Sequence, residues 1–570
     1  MTLASESIAQ PVDAAKFKQF EPLIAKYNEA KWAQMKEFDA KFLELCRSKI
    51  PSDAVLDAEP IDARKFVTSA GLLSESEAQI VNEFSIKELL DKQLAGELSA
   101  EQITRAYIKS AIIAQLATNC VMQFLIPSAL ERAKELDLYL KENGKLFGPM
   151  HGVPISLKEQ MGYKGQVTCA SYVSLIDNVV KKSSVSIQIF DKLGAVFHAR
   201  TSQPQAIMHL DTWNNIIGRT RNPCSTRLSP GGSSGGESAM VAMHGSAIGI
   251  GSDIGGSIRC PAAFTNVFGL KPTTKRLSSM NGISGGRGQE SIPSTEGPIA
   301  RSIQDLEYFM DVYLNQGKPW EYDPTSLVIP WRPAEVEEKI RIGVLFDDNL
   351  VTPHPAVKRA LQEVVSQLGE QFEIVDLADS WFSQEEMLAI HNTTLSLYTI
   401  DGNRSQLELI SPSGEPILPL TKHFLNFGQG KELSIYDNRK LNIFRDSTKL
   451  ALLERFFSQS PTSKKLHFIL SPTYPAPSEI PGNSLYWGYT SFWNLTDYPN
   501  VVFPTSYTHD PKLDSLPPTQ LKQNEFEESV WSNYNPDAYV GGPVGLQLTG
   551  KRFDDERIVQ AVKKITSVLK

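Results

Sequence analysis

The chain has 570 residues and a formal net charge of −8 at pH 7, without an extended block of lysine and arginine. This balance argues against nucleic acid as a main partner, because phosphate binding needs a concentrated basic face. Five widely spaced cysteines offer neither a disulfide framework nor a C-x-x-C metal site, which favours a reducing compartment. The N-terminus lacks the pattern of a signal peptide, and no apolar run approaches the roughly 18 residues of a membrane span. We therefore expect a cytoplasmic protein with no transmembrane segment.

Residues 13–49 predict a helix, interrupted at Pro22, with aromatic and apolar side chains recurring at helical spacing. Such a stripe can bind a membrane surface or a partner, or it can pack on the main domain. Acidic and basic residues are balanced along the segment, which favours packing on the main domain. We predict a helical N-terminal extension over residues 1–80.

Residues 81–570 alternate helical and strand patterns. A short apolar run in HGVPISLKE leads to Lys158, and residues 183–200 predict a helix followed by a buried strand. Residues 278–302 are rich in glycine, serine and proline and predict a loop. Strand and helix patterns alternate again over residues 339–378. This organisation predicts one large mixed α/β domain.

Two glycine clusters between residues 228 and 273 each hold serine. GGSSGG contains Ser233 and Ser234, and DIGGS ends in Ser257. Clustered glycines let the backbone come close to a substrate, and their amides can point at a developing negative charge. With Lys158 upstream, we hypothesise a proton-relay chain of Lys158, Ser233 and Ser257, in which Ser257 is the nucleophile.

A second interpretation of GGSSGG is the G-x-S-x-G nucleophile elbow, centred on Ser233 or Ser234. That motif needs a strand directly before the serine, and Pro230 disfavours an incoming strand because proline lacks a ladder donor. Histidines occur downstream, so residue counting alone leaves a serine–histidine pair open. Phosphate-binding motifs are excluded, because no G-x-x-x-x-G-K-[ST] occurs and GIGSDIGG has the wrong spacing for G-x-G-x-x-G.

The stretch from 228 to 273 resembles the signature of the amidase signature family, GGSSGG followed by D-x-GGS-[IV]-R. HGVPISLKE, GPIARSIQDL and PVGLQLTG also match, so the resemblance covers roughly residues 80 to 565. Within the family, the chain looks most similar to fungal acetamidases and general amidases, and next to fatty acid amide hydrolases. The resemblance implies an α/β fold with a mixed central β-sheet covered by helices on both faces. It also implies that residues 81–570 form the catalytic domain.

The resemblance also implies roles for individual residues. Ser257 is the acyl-accepting nucleophile, Ser233 a bridging serine held by a cis peptide bond, and Lys158 the base. The expected oxyanion hole consists of the backbone amides of Ile254, Gly255, Gly256 and Ser257. Ser234, Asp253 and Arg259 are expected to support these loops, and Glu159 stands where many members have Asp. A lysine base needs a lowered pKa, which partial burial beside Ile155 and Leu157 would supply.

The implied reaction hydrolyses a small-molecule carboxylic amide to the acid and ammonia or an amine, without metal or cofactor. Two alternatives are a fatty acid amide or N-acyl amine hydrolase, and the glutaminase subunit of a tRNA amidotransferase. Met208 and Trp213 are candidate substrate-binding residues, with Tyr398 and Trp493 as further pocket candidates. Many relatives form homodimers, so we expect a homodimer here.

Overall fold

The computed structural model describes residues 12–458, 465–515 and 521–569. Residues 1–11 lie outside this range. The expectation that the N-terminus is no signal peptide falls mostly on these residues. Among the described residues, no helix combines the length and the apolar character needed to cross a membrane.

Strands and helices follow one another along the described chain. The strands are β1 Val121–Phe124, β2 Pro154–Lys158, β3 Val196–Thr201, β4 Trp213–Asn214, β5 Gly218–Arg219, β6 Ile248–Asp253, β7 Phe268–Lys271, β8 Thr295–Ala300, β9 Ile340–Val344, β10 Phe372–Asp376, β11 Phe468–Pro472, β12 Asn500–Thr508 and β13 Pro543–Gly550.

The α-helices up to the middle of the chain are α1 Ala14–Lys49, α2 Asp53–Ala58, α3 Lys65–Thr68, α4 Glu75–Asn82, α5 Ile86–Leu94, α6 Ala100–Thr118, α7 Ile126–Asn143, α8 Val185–Lys192, α9 Gly235–Ala242 and α10 Arg259–Phe264. They continue with α11 Ile303–Asp311, α12 Pro355–Gln367, α13 Gln384–Tyr398, α14 Arg404–Ile410, α15 Pro419–Leu425, α16 Ile435–Leu452, α17 Gly488–Thr496, α18 Glu525–Trp531 and α19 Asp555–Val568.

Within the described residues, 11 strands form one mixed sheet in the order β1-β3-β2-β6-β8-β7-β12-β13-β11-β9-β10. Strands β3, β2 and β6 are mutually parallel, and so are β11, β9 and β10. The remaining neighbours are antiparallel, and β4 pairs with β5 separately. Helices pack against this sheet, among them α9 on β6 and α10 on β12 and β13. The predicted α/β fold with a mixed central sheet flanked by helices is confirmed.

Parallel strands β2 and β6 bring two distant parts of the sequence to one edge of the sheet. Strand β2 ends at Lys158 and β6 at Asp253, and their register aligns Leu157 with Ile250. Both strands are buried along their whole length, as their apolar residues require. Because the carboxyl ends of parallel strands share an edge, Lys158 lies beside the turn that leads from Asp253 to Ser257.

Helix α1 continues through Pro22 and loses helical geometry at Asp39, so the predicted interruption at Pro22 is wrong. Asp39 has φ −162° and ψ 93°, and its Oδ1 accepts the Phe42 N–H at 2.9 Å. A carboxylate in this position acts as an N-cap and replaces backbone bonds that the break removes. Proline removes only one backbone donor, and Phe20 and Ile24 on either side of it pack against a buried apolar cluster.

Residues 278–302, predicted as a loop, end in strand β8 inside the sheet. Pro298 lies opposite Ile250 of β6, and β7 pairs only with Ile299 and Ala300. The proline therefore stands where pairing with β7 stops, and its missing N–H does not interrupt that ladder. Pairing with β6 and β7 therefore determines this strand, although its local composition is typical of a loop.

The N-terminal helix packs into the main apolar core. Met35 and Phe42 of α1 belong to the same buried cluster as Val121 and Ile155 of the sheet. Lys31 is also buried, and its Nζ donates to the Val121 carbonyl at 2.9 Å. These contacts agree with an extension that packs on the main domain, and the boundary at residue 80 stays a prediction.

Phe42→Ala tests this packing. We expect it to lower the free energy of unfolding by about 3–5 kcal/mol, because the side chain is only 6% exposed and its loss leaves a cavity. Leu45 on the same helix is 41% exposed, so the control Leu45→Ala should change that energy by less than about 0.5 kcal/mol. Urea unfolding followed by tryptophan fluorescence measures both. Equal destabilisation by the two variants would contradict the assignment.

Candidate active site

Lys158 occupies the last position of β2 and is fully buried. Its Nζ lies 2.7 Å from Ser233 Oγ and 3.0 Å from Ser252 Oγ. Both distances are those of hydrogen bonds to a charged or neutral amine. The structure therefore brings together Lys158 and Ser233, which lie far apart in the sequence.

Burial dominates the electrostatics of the lysine. It lowers the pKa of Lys158 from 10.5 to about 7, against the opposing charges of Asp253 and Glu237. Burial also raises the pKa of Glu237 to about 8, although Ser156 and Thr201 donate hydrogen bonds to its carboxyl group. Burial therefore disfavours the charged form of Glu237 as well as that of Lys158. The neutral amine, which can accept a proton, is therefore accessible near pH 7.

The GGSSGG segment passes through contacts that admit only glycine. A Cβ at Gly232 would lie 2.0 Å from the carbonyl oxygen of Asp211, and one at Gly236 would lie 2.4 Å from the Ser202 nitrogen. The peptide bond between Gly232 and Ser233 is cis, as the resemblance implies. We expected these glycines to let the backbone approach a substrate. At Gly232 and Gly236 the structure shows instead close packing on neighbouring segments of the chain.

Ser234 and Ser252 join the two glycine-rich segments. Ser234 Oγ accepts the Ser252 N–H at 3.2 Å and donates to the Ser252 carbonyl at 3.2 Å. This agrees with the supporting role predicted for Ser234. Sequence reasoning missed Ser252, whose Oγ contacts Lys158. Its signal was its position at the end of an apolar strand, one residue before Asp253.

Ser257 lies in the turn between β6 and α10 and keeps 5% of its surface exposed. Its carbonyl accepts the N–H of Ser234 at 3.0 Å. The two glycine clusters of the sequence therefore meet directly at their serines.

Asp253 organises the turn that carries Ser257. Its carboxylate accepts the N–H groups of Gly256 at 2.9 Å and Ile258 at 3.0 Å. The Arg259 guanidinium donates to both carboxylate oxygens, at 3.0 Å each. Burial alone would raise the pKa of Asp253, but the Arg259 charge and its hydrogen bonds hold that pKa well below the usual range. These contacts agree with the supporting roles predicted for Asp253 and Arg259.

Asn494 of α17 completes this ion pair and was missed by the sequence analysis. Its Nδ2 donates to Asp253 Oδ1 at 2.8 Å, and its Oδ1 accepts Arg259 Nη2 at 2.6 Å. No motif marks Asn494, because it lies more than two hundred residues from its partners, a separation of 241 to Asp253.

The expected oxyanion hole needs one correction, at Gly256. Its N–H donates to Asp253 and is therefore already used by the scaffold. The N–H groups of Ile254, Gly255 and Ser257 have no hydrogen-bond acceptor in the described part of the chain. An oxyanion hole built from these three amides stays a prediction.

The candidate pocket residues lie in different surroundings. Met208 is buried in an apolar cluster, and Trp213 of β4 pairs with Arg219 of β5. Trp493 packs against other aromatic rings, including Phe492 at 4.9 Å between ring centroids. The substrate-binding role of Met208 and Trp213 stays a prediction.

Glu159, which follows the lysine, is fully buried beside the site. Its carboxylate accepts the N–H groups of Cys169 and Ala170, each at 2.8 Å, and the Gln203 amide at 2.8 Å. It therefore braces the loop around Cys169, as expected of a supporting residue.

Comparison with known proteins places the chain in a family. The Amidase family model matches residues 102–559. An acetamidase of Emericella nidulans is 36% identical over 514 residues, 88% of this chain and 92% of that protein. An acetamidase of Aspergillus oryzae is 35% identical over 531 residues, 91% of this chain and 96% of that protein.

Solved structures agree with this result. A fatty acid amide hydrolase matches with a TM-score of 0.92 and 40% identity, covering 99% of this chain and 98% of that one. The peptide amidase of Stenotrophomonas maltophilia shares the fold at 20% identity and a TM-score of 0.60, over 85% of this chain and 97% of that one. The chain therefore belongs to the amidase signature family and is an enzyme that hydrolyses amide bonds.

Proposed function

We propose that the enzyme forms an acyl-enzyme on Ser257, with Ser233 as proton relay and Lys158 as base. The 2.7 Å contact between the buried Lys158 amine and Ser233 Oγ carries this proposal. A lysine pKa of about 7 supports it, because a neutral amine is available at the pH of a cell.

In the first half-reaction, Ser257 Oγ forms a bond to the amide carbonyl carbon. Its proton passes to Ser233 while the Ser233 proton passes to neutral Lys158, and the carbonyl oxygen takes the negative charge. The relay then returns a proton to the nitrogen of the tetrahedral intermediate. The C–N bond breaks, ammonia or an amine leaves, and the acyl group remains as an ester on Ser257.

In the second half-reaction, water attacks that ester. The relay takes one proton from the water and returns it to Ser257 Oγ as the carboxylic acid leaves. Free backbone N–H groups beside Ser257 support both steps, since one such donor is commonly worth about 3–4 kcal/mol in the transition state.

Apolar carboxylic amides are the substrate class that we propose. Trp487 lies against the turn before Ser257, and its ring is 5.8 Å from Tyr398 and 5.1 Å from Phe427 between centroids. We propose that the acyl group of the substrate binds beside these rings, which favours an apolar acyl or aryl group over the charged amino acid head of glutamine. It also favours a second candidate, hydrolysis of long-chain acyl amides, which the likeness to a fatty acid amide hydrolase supports.

A substrate panel tests this class. We expect the purified protein to release ammonia or amine from acetamide, a long-chain primary amide or an aryl amide at least about 100-fold faster than from glutamine, a difference of about 2.7 kcal/mol. Product formation at fixed enzyme concentration measures it. Preferred turnover of glutamine would contradict the proposed class and favour an amidotransferase subunit.

Removing the nucleophile is the second test. Ser257→Ala should lower kcat by more than about 10⁴-fold while the protein stays folded, because alanine has no hydroxyl to carry the acyl group. Ser128→Ala on α7 is the matched control, since Ser128 Oγ donates only to the carbonyl of Leu125, the residue before that helix. Normal turnover by Ser257→Ala would contradict the nucleophile assignment.

The pH dependence is the third test. Below the Lys158 pKa of about 7 the base is protonated, so kcat/KM should fall about tenfold for each pH unit and level off above it. Lys31→Met is the control, because Lys31 is a second buried lysine, with a pKa of about 8, that we place outside the site. This variant should keep the wild-type midpoint. A midpoint near 10.5 would rule out a neutral Lys158 as the base.

A further inference from the structure

We infer that Tyr398 is a positioning residue whose hydroxyl aims the Gly255 N–H at the carbonyl oxygen of the substrate. The inference rests on the proposed function, since it gives Tyr398 the role of orienting one donor of the proposed oxyanion hole. Tyr398 closes helix α13, and its hydroxyl donates to the Ile254 carbonyl at 2.6 Å. A trans peptide unit is planar, so the C=O of Ile254 and the N–H of Gly255 point in opposite directions. A carbonyl held on the Tyr398 side therefore directs the N–H to the other side.

In the next peptide unit, between Gly255 and Gly256, both the carbonyl and the N–H form hydrogen bonds within the protein. Thr490 Oγ1 donates to the Gly255 carbonyl at 2.6 Å, and the Gly256 N–H donates to Asp253 at 2.9 Å. This unit has no donor left for a substrate. The Gly255 N–H, in contrast, has no acceptor within the described chain and is available.

The third peptide unit, between Gly256 and Ser257, is oriented by the turn that leads into helix α10. The Gly256 carbonyl accepts the Cys260 N–H at 2.7 Å, a bond of the turn that leads into α10. This leaves the Ser257 N–H on the opposite side, again without an acceptor among the described residues. Among the donors of this turn that have no acceptor, the Ser257 N–H is thus set by local helix geometry, whereas the Gly255 N–H depends on a hydroxyl 144 residues from Ile254.

Close packing makes the Tyr398 contact specific. A Cβ at Gly255 would lie 2.8 Å from the Trp487 ring and 3.2 Å from the Tyr398 hydroxyl. Gly256 has φ +126°, and a Cβ there would lie 2.4 Å from Thr490 Oγ1. The two glycines therefore let α13 and α17 approach the turn closely. Burial raises the pKa of Tyr398, so its hydroxyl stays protonated and donates throughout the working pH range.

Tyr398→Phe tests the inference, because it keeps the ring and removes only the hydroxyl. For the primary amide that the wild type hydrolyses fastest, kcat should fall about 10- to 100-fold, less than the loss of a whole oxyanion donor. KM should stay within about twofold, and the midpoint of the pH profile should not move, since Lys158 is untouched. Tyr308→Phe is the matched control, because the Tyr308 hydroxyl on α11 also donates to a backbone carbonyl, that of Pro149 at 2.7 Å. It should keep wild-type kcat.

A thioamide separates positioning from a general structural effect. Sulfur accepts hydrogen bonds more weakly than oxygen, so the thioamide of the same acid gains less from a well-aimed Gly255 N–H. We therefore expect the fold loss caused by Tyr398→Phe to be several times smaller for the thioamide than for the amide. Equal losses on both substrates, or no loss on the amide, would overturn the inference.

A fluorophosphonate probe distinguishes this failure from failure of the proposed function. The wild type should be labelled at Ser257, and peptide mass spectrometry identifies the labelled residue. Absence of that label would refute the nucleophile itself. Labelling of the wild type, combined with equal kcat for Tyr398→Phe and Tyr308→Phe, would refute the role of Tyr398 alone.

Discussion

The site depends on one constraint, a lysine amine buried so completely that burial outweighs the attraction of the nearby carboxyl groups. Lys158 ends a strand with no exposed residue, and each pKa unit lost corresponds to about 1.4 kcal/mol of burial cost. Glu237 is close but is itself raised to a pKa of about 8 by burial. Asp253 is charged, yet its hydrogen bonds go to Arg259, Asn494 and the following turn. Burial thus favours the neutral amine near pH 7, which the proposed role of Lys158 as base requires.

The proposed catalytic residues come from one part of the chain, and the residues that support them come from another. Lys158, Ser233 and Ser257 lie within about a hundred residues, on the carboxyl edges of β2 and β6 and the start of α9. Their scaffold includes Tyr398 of α13 and Asn494 of α17, which contact the turn before α10 from outside. Loss of the Tyr398 hydroxyl or of the Asn494 amide is therefore expected to act on the reaction through the turn.

The site residues that could be predicted from the sequence are those that stand in a recognisable short motif. Serines between glycines and a lysine at the end of an apolar run are visible without coordinates, and the family resemblance assigned them roles. The Gly256 amide was misassigned because the partner of a backbone N–H depends on the turn geometry. Ser252 and Asn494 carry no motif, and β8 was hidden by a composition typical of loops. The homodimer and the cytoplasmic location stay predictions.

Direct titration of the Lys158 amine tests the central claim most closely. Lysine labelled with ¹³C at Cε reports the charge of each amine by NMR, and the Lys158→Met spectrum identifies the Lys158 signal by its loss. We predict a midpoint near pH 7 for this signal in the free enzyme. A midpoint near 10.5, the ordinary value for lysine, would contradict the account of a base made by burial.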